Sequence, residues 1–301
     1  MSLRNWAASL FIAMSLAPVT SAEESVPEPE ILFGGEQFYL HSEVLSDDRQ
    51  INVWYPAGYG DGRPLAGVIY LLDGGDSQDF PHIAGLGQLG ALSWTFKPFL
   101  LVGIETQERQ HELTPPPTDE RFISAFAESG GAPEFRQFIL DEVKPFIEGR
   151  YQTGRREILM GESLAGLFVV DTLLEAPESF DDYIAISPSL WWDGTNFTGA
   201  ARGKLDDHPD GERRLYLALA DEGGMMEIGM DILRAALSDV GQDVIDFSFH
   251  DFSATHTHAT IYHTAALDAF RTLYAEPEFE FDTPWWMDEF GEPPAEETGA
   301  E

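Results

Sequence analysis

Apolar positions along this chain fall into short clusters whose spacing switches between that of a strand and that of a helix. Glu36–His41 and Gln50–Tyr55 read as strands, the second with Ile51, Val53 and Tyr55 alternating with Asn52 and Trp54. Ala66–Leu72 and Phe99–Ile104 are unbroken apolar runs, the pattern of strands covered on both faces. The first stops at Asp73-Gly74-Gly75-Asp76. The second gives way to a polar stretch, Glu105–Arg121, that contains Pro115-Pro116-Pro117. Pro133–Glu148 reads as a helix, because Phe135, Phe138, Ile139, Val143, Phe146 and Ile147 recur at three- and four-residue spacing. Pro133 suits a first helical position, and Pro145 is expected to kink the last turn. There follow strand Glu157–Met160, helix Leu164–Leu174, strands Tyr183–Ile186 and Leu215–Ala220, helix Glu227–Val240, strand Asp243–Phe249 and helix Ala259–Tyr274. Buried strands alternating with amphipathic helices predict an α/β fold, a mostly parallel central sheet flanked by helices, over residues 36–275.

The two ends differ from this body. Residues 1–22 carry Arg4, an apolar run from Trp6 to Leu16, a helix-breaking Pro18 and small residues at Thr20-Ser21-Ala22. That is the layout of a secretory signal peptide, and the run is too short for a membrane span. The expectation is a periplasmic or secreted bacterial protein with no stable membrane insertion once the signal is cleaved; the alternative is an uncleaved anchor. Residues 23–35 read as a Pro- and Glu-rich leader. Residues 276–301 form an acidic tail with no Lys or Arg, yet with Trp285, Trp286, Met287 and Phe290, which suggests that its first part docks on the body.

Charge narrows the function. The 301 residues hold 53 acids against 17 bases, a net charge of −36. Nucleic-acid binding needs a basic stripe, so that class is set aside. Only three bases are lysines, Lys97, Lys144 and Lys204. Such a surface fits either a salt-adapted protein or an ordinary acidic secreted one. There is no cysteine, which excludes disulfides, thiol nucleophiles and thiolate metal sites. No metal and no cofactor is expected, and oligomeric state is not legible.

The chemistry concentrates in Glu157–Val170. A short apolar strand runs into Gly161-Glu162-Ser163-Leu164-Ala165 and then into a helix, the setting in which a G-x-S-x-G turn holds an exposed serine. Ala165 replaces the second glycine but keeps its small volume. Serine is a weak nucleophile until a base takes its proton. In α/β-hydrolase chain order the acid and then the histidine follow it. His258 opens the last helix and is the favoured base, with His256 the competitor. His256-x-His258 also reads as a metal pair, without a third ligand at useful spacing. Glu222, after strand Leu215–Ala220, is the favoured orienting acid, ahead of Asp221 and Glu227. The backbone N–H groups of Leu164 and Gly75 are the expected oxyanion donors.

Several segments in this order resemble the putative-esterase family of α/β-hydrolases, which includes siderophore esterases and S-formylglutathione hydrolase. They are Val68–Gly75 (VIYLLDGG), Gly103–Pro116 (GIETQERQHELTPP), the GESLAGLFVV turn, Ile186–Asp193 (ISPSLWWD) and His258–Ile261 (HATI). In the second of these His111 stands where the family motif has an arginine. The resemblance implies an α/β-hydrolase fold and ester hydrolysis through an acyl-enzyme on Ser163, with a small-molecule ester as substrate, siderophore esters among the possibilities. It places Arg109 at the pocket mouth and offers Trp191 and Trp192 as pocket walls, although either fits the core equally well. The net charge and His111 argue against a highly anionic substrate. A carbohydrate-linked feruloyl or acetyl esterase and a non-catalytic binding protein on the same scaffold are the alternatives.

Overall fold

The computed structural model describes residues 34–209, 211–242 and 244–276. The signal-like segment, nearly all of the leader and the tail beyond Glu276 lie outside the described residues. In chain order the elements are β1 (Glu36–Ser42), β2 (Asp47–Trp54), β3 (Gly67–Leu71), α1 (Phe80–Ser93), β4 (Leu100–Ile104), α2 (Arg109–Glu112), α3 (Glu120–Ala125), α4 (Ala132–Phe138), a π-helical turn (Ile139–Val143) and α5 (Lys144–Glu148). Then come β5 (Arg156–Glu162), α6 (Leu164–Glu175), β6 (Asp182–Ile186), α7 (Asn196–Gly199), α8 (Ala201–Asp206), β7 (Arg214–Leu219), α9 (Gly224–Val240), β8 (Asp246–Asp251) and α10 (His258–Tyr274).

The strands form one eight-stranded sheet in the order β1-β2-β4-β3-β5-β6-β7-β8. β1 pairs antiparallel with β2, and β2 antiparallel with β4. Every pair from β4 to β8 is parallel. This is an α/β-hydrolase fold, and all eight expected strands are present. Alternate residues of the parallel strands face opposite layers. Val68, Tyr70, Leu159, Ala185 and Leu217 pack under α4 to α6 and α9. Ile69, Leu71, Ile158, Met160 and Tyr216 pack under α1 and α10. Because the inner strands are buried on both faces, they read as continuous apolar runs.

The expected helix 133–148 is present with a modification. Pro145 has no N–H to offer, and the turn before it widens into the π-helical segment Ile139–Val143 rather than breaking. The polar stretch after β4 is structured. Glu112 of α2 reaches the Arg49 guanidinium at 2.6 Å with both side chains almost fully buried, and its other oxygen accepts the Gln107 N–H at 3.0 Å. Asp193 holds the far end of the stretch, accepting from the Thr118 N–H and hydroxyl and from the Asp119 N–H at 2.6–3.0 Å. The Trp192 indole donates to the Pro115 carbonyl at 3.0 Å. The ISPSLWWD segment therefore anchors the long loop to the sheet.

Candidate active site

β5 ends at Glu162 and α6 begins at Leu164, so the whole reversal falls on Ser163. Its backbone takes φ 59° and ψ −119°, a region that costs a non-glycine residue energy and persists only where the surroundings enforce it. Here the Ser163 N–H donates to the Ile186 carbonyl at 3.0 Å, and the Ser163 carbonyl accepts from the Ser189 N–H at 2.9 Å. The small flanking residues have a steric reason. A Cβ on Gly161 would lie 2.6 Å from the Ala165 Cβ and 2.7 Å from its backbone carbon, so position 161 must be glycine while Ala165 just fits. The turn lifts the hydroxyl to the carboxyl end of the sheet.

His258 is the first residue of α10, whose start is fixed by a capping box between Thr257 and Thr260. The loop before it is tied to the end of β7: Asp221 and Thr257 form a parallel bridge, and the Asp221 N–H donates to the His256 carbonyl at 2.9 Å. This tie orders the candidates. The His256 ring packs on Phe252, and Asp221 and Glu227 are exposed. His258 Nε2 lies 3.0 Å from Ser163 Oγ, and its Nδ1 lies 2.8 Å from Glu222 Oε1. Glu222 is nearly buried, with 7% of its side chain accessible. A carboxylate that accepts the Nδ1 proton leaves Nε2 as an acceptor for the serine hydroxyl.

A second carboxyl faces the same ring, and the sequence reading assigned it no role. Glu162 Oε1 is 3.4 Å from His258 Nε2. Burial pushes the Glu162 carboxyl up to about 7; His258 and Arg109 oppose the rise, and Asp79 and Glu222 add to it. The signal was visible in principle, because the residue before the serine of such a turn must lie beside the nucleophile. Ser189 was missed as well. Its hydroxyl lies 3.4 Å from that of Ser163.

The other expected residues divide. Leu164 opens α6, so its N–H is among the amides that a helix start leaves without an internal acceptor, as an oxyanion donor requires. The Gly75 N–H donates to Gln78 Oε1 at 2.9 Å, because the Gln78 side chain folds back over the turn. Arg109 donates from Nε to Asp73 at 2.8 Å, with 40% of its side chain accessible. It is close enough to oppose the raised pKa of Glu162. Asp73 is itself buried, and burial pushes its carboxyl up against the pull of Arg109. Trp192 is a correction. It is only 1% exposed and belongs to the core, whereas Trp191 is half-buried against Phe122 and Phe126. Among the described residues no group of three or more potential ligands is placed to hold a metal ion.

The chain is similar to several known proteins. A family model described as Putative esterase matches residues 42–221. Siderophore triacetylfusarinine C esterase of Aspergillus fumigatus is 33% identical over 182 residues, 55% of this chain and 59% of that protein. Ferri-bacillibactin esterase BesA of Bacillus subtilis is 36% identical over 156 residues, 46% of this chain and 50% of that protein. The chain thus spans between half and three-fifths of the length of these curated relatives. An IroE-like serine hydrolase from Shewanella oneidensis, 25% identical, superposes with a TM-score of 0.70 over 80% of each chain. The BES protein of Bacillus cereus, 23% identical, shares the fold with a TM-score of 0.71 over 83% of this chain and all of that one. The chain belongs to the Putative esterase family.

Proposed function

We propose that this protein is an exported serine hydrolase that cleaves carboxylic esters through an acyl-enzyme. The observation that carries the reading is the line from Ser163 Oγ to His258 Nε2, 3.0 Å, and from His258 Nδ1 to Glu222, 2.8 Å. In the first half-reaction Ser163 Oγ attacks the ester carbonyl as its proton passes to Nε2 of His258. The carbonyl oxygen takes the negative charge beside the Leu164 N–H at the start of α6. Collapse of this intermediate breaks the ester C–O bond. The imidazolium returns the proton to the departing alkoxide, and the acyl group is left on Ser163. In the second half His258 deprotonates a water that attacks the acyl carbon, and the carboxylic acid leaves. Glu222 holds the ring orientation and stabilises the imidazolium throughout.

The relatives named siderophore triacetylfusarinine C esterase and ferri-bacillibactin esterase make siderophore esters the first natural substrates to test. The carboxyl groups of Asp73, Asp79, Glu162 and Glu222 gather around a site whose nearest guanidinium, Arg109, is already paired. Such a field favours neutral or weakly charged esters over a highly anionic complex. Export rests on the signal-like pattern of residues 1–22. The test is hydrolysis of p-nitrophenyl acetate and butyrate and of a panel of siderophore esters by the wild type and by Ser163→Ala. Loss of all turnover in a variant of unchanged melting temperature is the expected result. Retained turnover removes Ser163 from the chemistry.

A further inference from the structure

Strand β5 breaks its own pattern at its last residue. Ile158 and Met160 pack on the face of the sheet covered by α1 and α10, and strand alternation carries Glu162 to that same face. Its register partner on β6, Ile186, is fully buried there. Packing asks for another apolar side chain at this place. The chain has a carboxyl instead, with only 15% of its side chain accessible. Withdrawing such a group from water is costly, and carboxyls are kept in that state chiefly where chemistry uses them.

Among the described residues the one polar side chain in contact with the Glu162 carboxyl is His258, whose Nε2 lies 3.4 Å from Oε1. Other charged or titratable groups face it from each neighbouring element. Asp79 precedes α1, Arg109 opens α2 and Glu222 follows β7. Arg109 is tied to Asp73 at 2.8 Å, and His82 of α1 lies 3.5 Å from Asp79. Tyr262, one turn along α10 from His258, buries a hydroxyl without a hydrogen-bond partner within electrostatic reach of Asp79, Glu162 and Asp73. Among the described residues none of these forms an ion pair or hydrogen bond with Glu162, so its charge acts first on the imidazole.

Two oxygens therefore stand before Nε2, Ser163 Oγ at 3.0 Å and Glu162 Oε1 at 3.4 Å, while Nδ1 is held by Glu222 at 2.8 Å. A neutral imidazole accepts the serine hydroxyl at Nε2. Once Nε2 is protonated it becomes a donor, and Ser163 Oγ, bonded to the acyl carbon, is a poor acceptor. Building on the serine-hydrolase reading above, we propose that Glu162 is a second positioning carboxylate for His258, accepting a hydrogen bond from Nε2–H of the imidazolium formed as Ser163 attacks. No proton is transferred to Glu162. The proton taken from Ser163 stays on Nε2 until it leaves with the departing alkoxide. Ionised Glu162 stabilises the imidazolium in two settings. In the transition state this speeds attack. In the resting enzyme at mildly acid pH it holds a proton on Nε2 and keeps Ser163 unactivated. Burial pushes the Glu162 carboxyl up to about 7, so both settings fall near neutral pH.

The test compares kcat/KM for p-nitrophenyl butyrate between about pH 6 and 8.5 in the wild type, Glu162→Gln and Glu162→Ala. The second variant removes the carboxyl without setting an amide beside Nε2, and melting temperatures show which variants fold. A fluorophosphonate probe, mapped by peptide mass, is applied to the wild type first. Labelling at Ser163 is expected; its absence removes the serine-hydrolase reading and this inference with it. With Ser163 labelled, the ratio of variant to wild-type kcat/KM should fall at least about threefold from the acid to the alkaline end, equivalent to about half a pKa unit in the hold on the Nε2 proton. A role in packing alone would lower the rate by one factor at every pH. A ratio in the folded variants that stays flat, falls by less, or rises with pH overturns the assignment of Glu162 and leaves Ser163 in place.

Discussion

The Ser163 hydroxyl stands 3.0 Å from Nε2 of His258 across ninety-five positions of chain, and neither residue is free to leave. Ser163 is fixed through its backbone to Ile186 and Ser189. His258 is fixed by the capped start of α10 and by the bridge from Asp221 to Thr257. In the proposed mechanism, a proton acceptor placed this way lowers the barrier for serine attack without a search through side-chain conformations.

The strain at Ser163 has a measurable consequence. Ser163→Ala keeps the Cβ and therefore keeps the cost of φ 59°, whereas Ser163→Gly removes it. Both variants are expected to be inactive, but the glycine variant should be more stable than the alanine variant by about 1–3 kcal/mol, less a few tenths lost to unfolded-state entropy. Urea unfolding of the two, compared at equal m-values, checks this.

In the proposed mechanism Glu222 acts only through the imidazole. Glu222→Gln keeps the shape but removes the charge that stabilises the imidazolium. A fall in kcat on the order of 10²–10⁴, with KM little changed, is expected. Steady-state kinetics with p-nitrophenyl butyrate separate the two parameters.

The Glu162 carboxyl, pushed up to about 7 by burial, ties stability to pH. Below the ordinary carboxyl value of 4.5 it is protonated in both native and unfolded chains, and its contribution is fully present. Between 4.5 and 7 the unfolded chain ionises while the native one holds its proton, so stability is lost as pH rises. Above 7 the loss is complete, on the order of 3 kcal/mol. Glu162→Gln escapes this loss. Its unfolding free energy should gain on that of the wild type between pH 4.5 and 8, and denaturant unfolding at several pH values measures the gap. A gap that does not change with pH contradicts the assignment.

The long loop depends on the buried Arg49–Glu112 pair. Glu112→Gln strips Arg49 of one of its two carboxylates. The expected cost is about 2–3 kcal/mol, toward the low side for a buried pair because Asp47 still neutralises the guanidinium. Arg49→Met combined with Glu112→Gln should recover part of that loss in thermal or urea unfolding, because no buried guanidinium is then left one carboxylate short, while Asp47, with 36% of its side chain accessible, is left to water.

The parallel strands were readable because β3 to β7 are buried on both faces, which compels near-continuous apolar runs. The turn at Ser163 was readable because a sharp strand-to-helix reversal admits few residue types. Helix α1 was not read, and the reason is local. Gly85, Gly87 and Gly90 lower its helix propensity, yet a Cβ would come within 2.7 Å of Trp54 at position 87 and within 2.0 Å of Phe96 at position 90. Tertiary packing selects glycine there against local preference. Trp192 could not be told from a pocket wall, because burial of an aromatic leaves no mark in its immediate neighbours. The Gly75 N–H was claimed by Gln78, a side-chain contact that no backbone pattern shows. Choosing Glu222 over Asp221 needed the bridge to Thr257, which turns one carboxylate outward and the other toward His258.

The most direct test of the central claim is to trap the acyl group. Rapid acid quenching of the enzyme mixed with p-nitrophenyl butyrate, followed by peptide mapping, should find butyrate esterified to Ser163 in the wild type. The adduct should accumulate far more slowly in His258→Ala. Ester turnover with no adduct at Ser163, or with the acyl group on another residue, would contradict the mechanism.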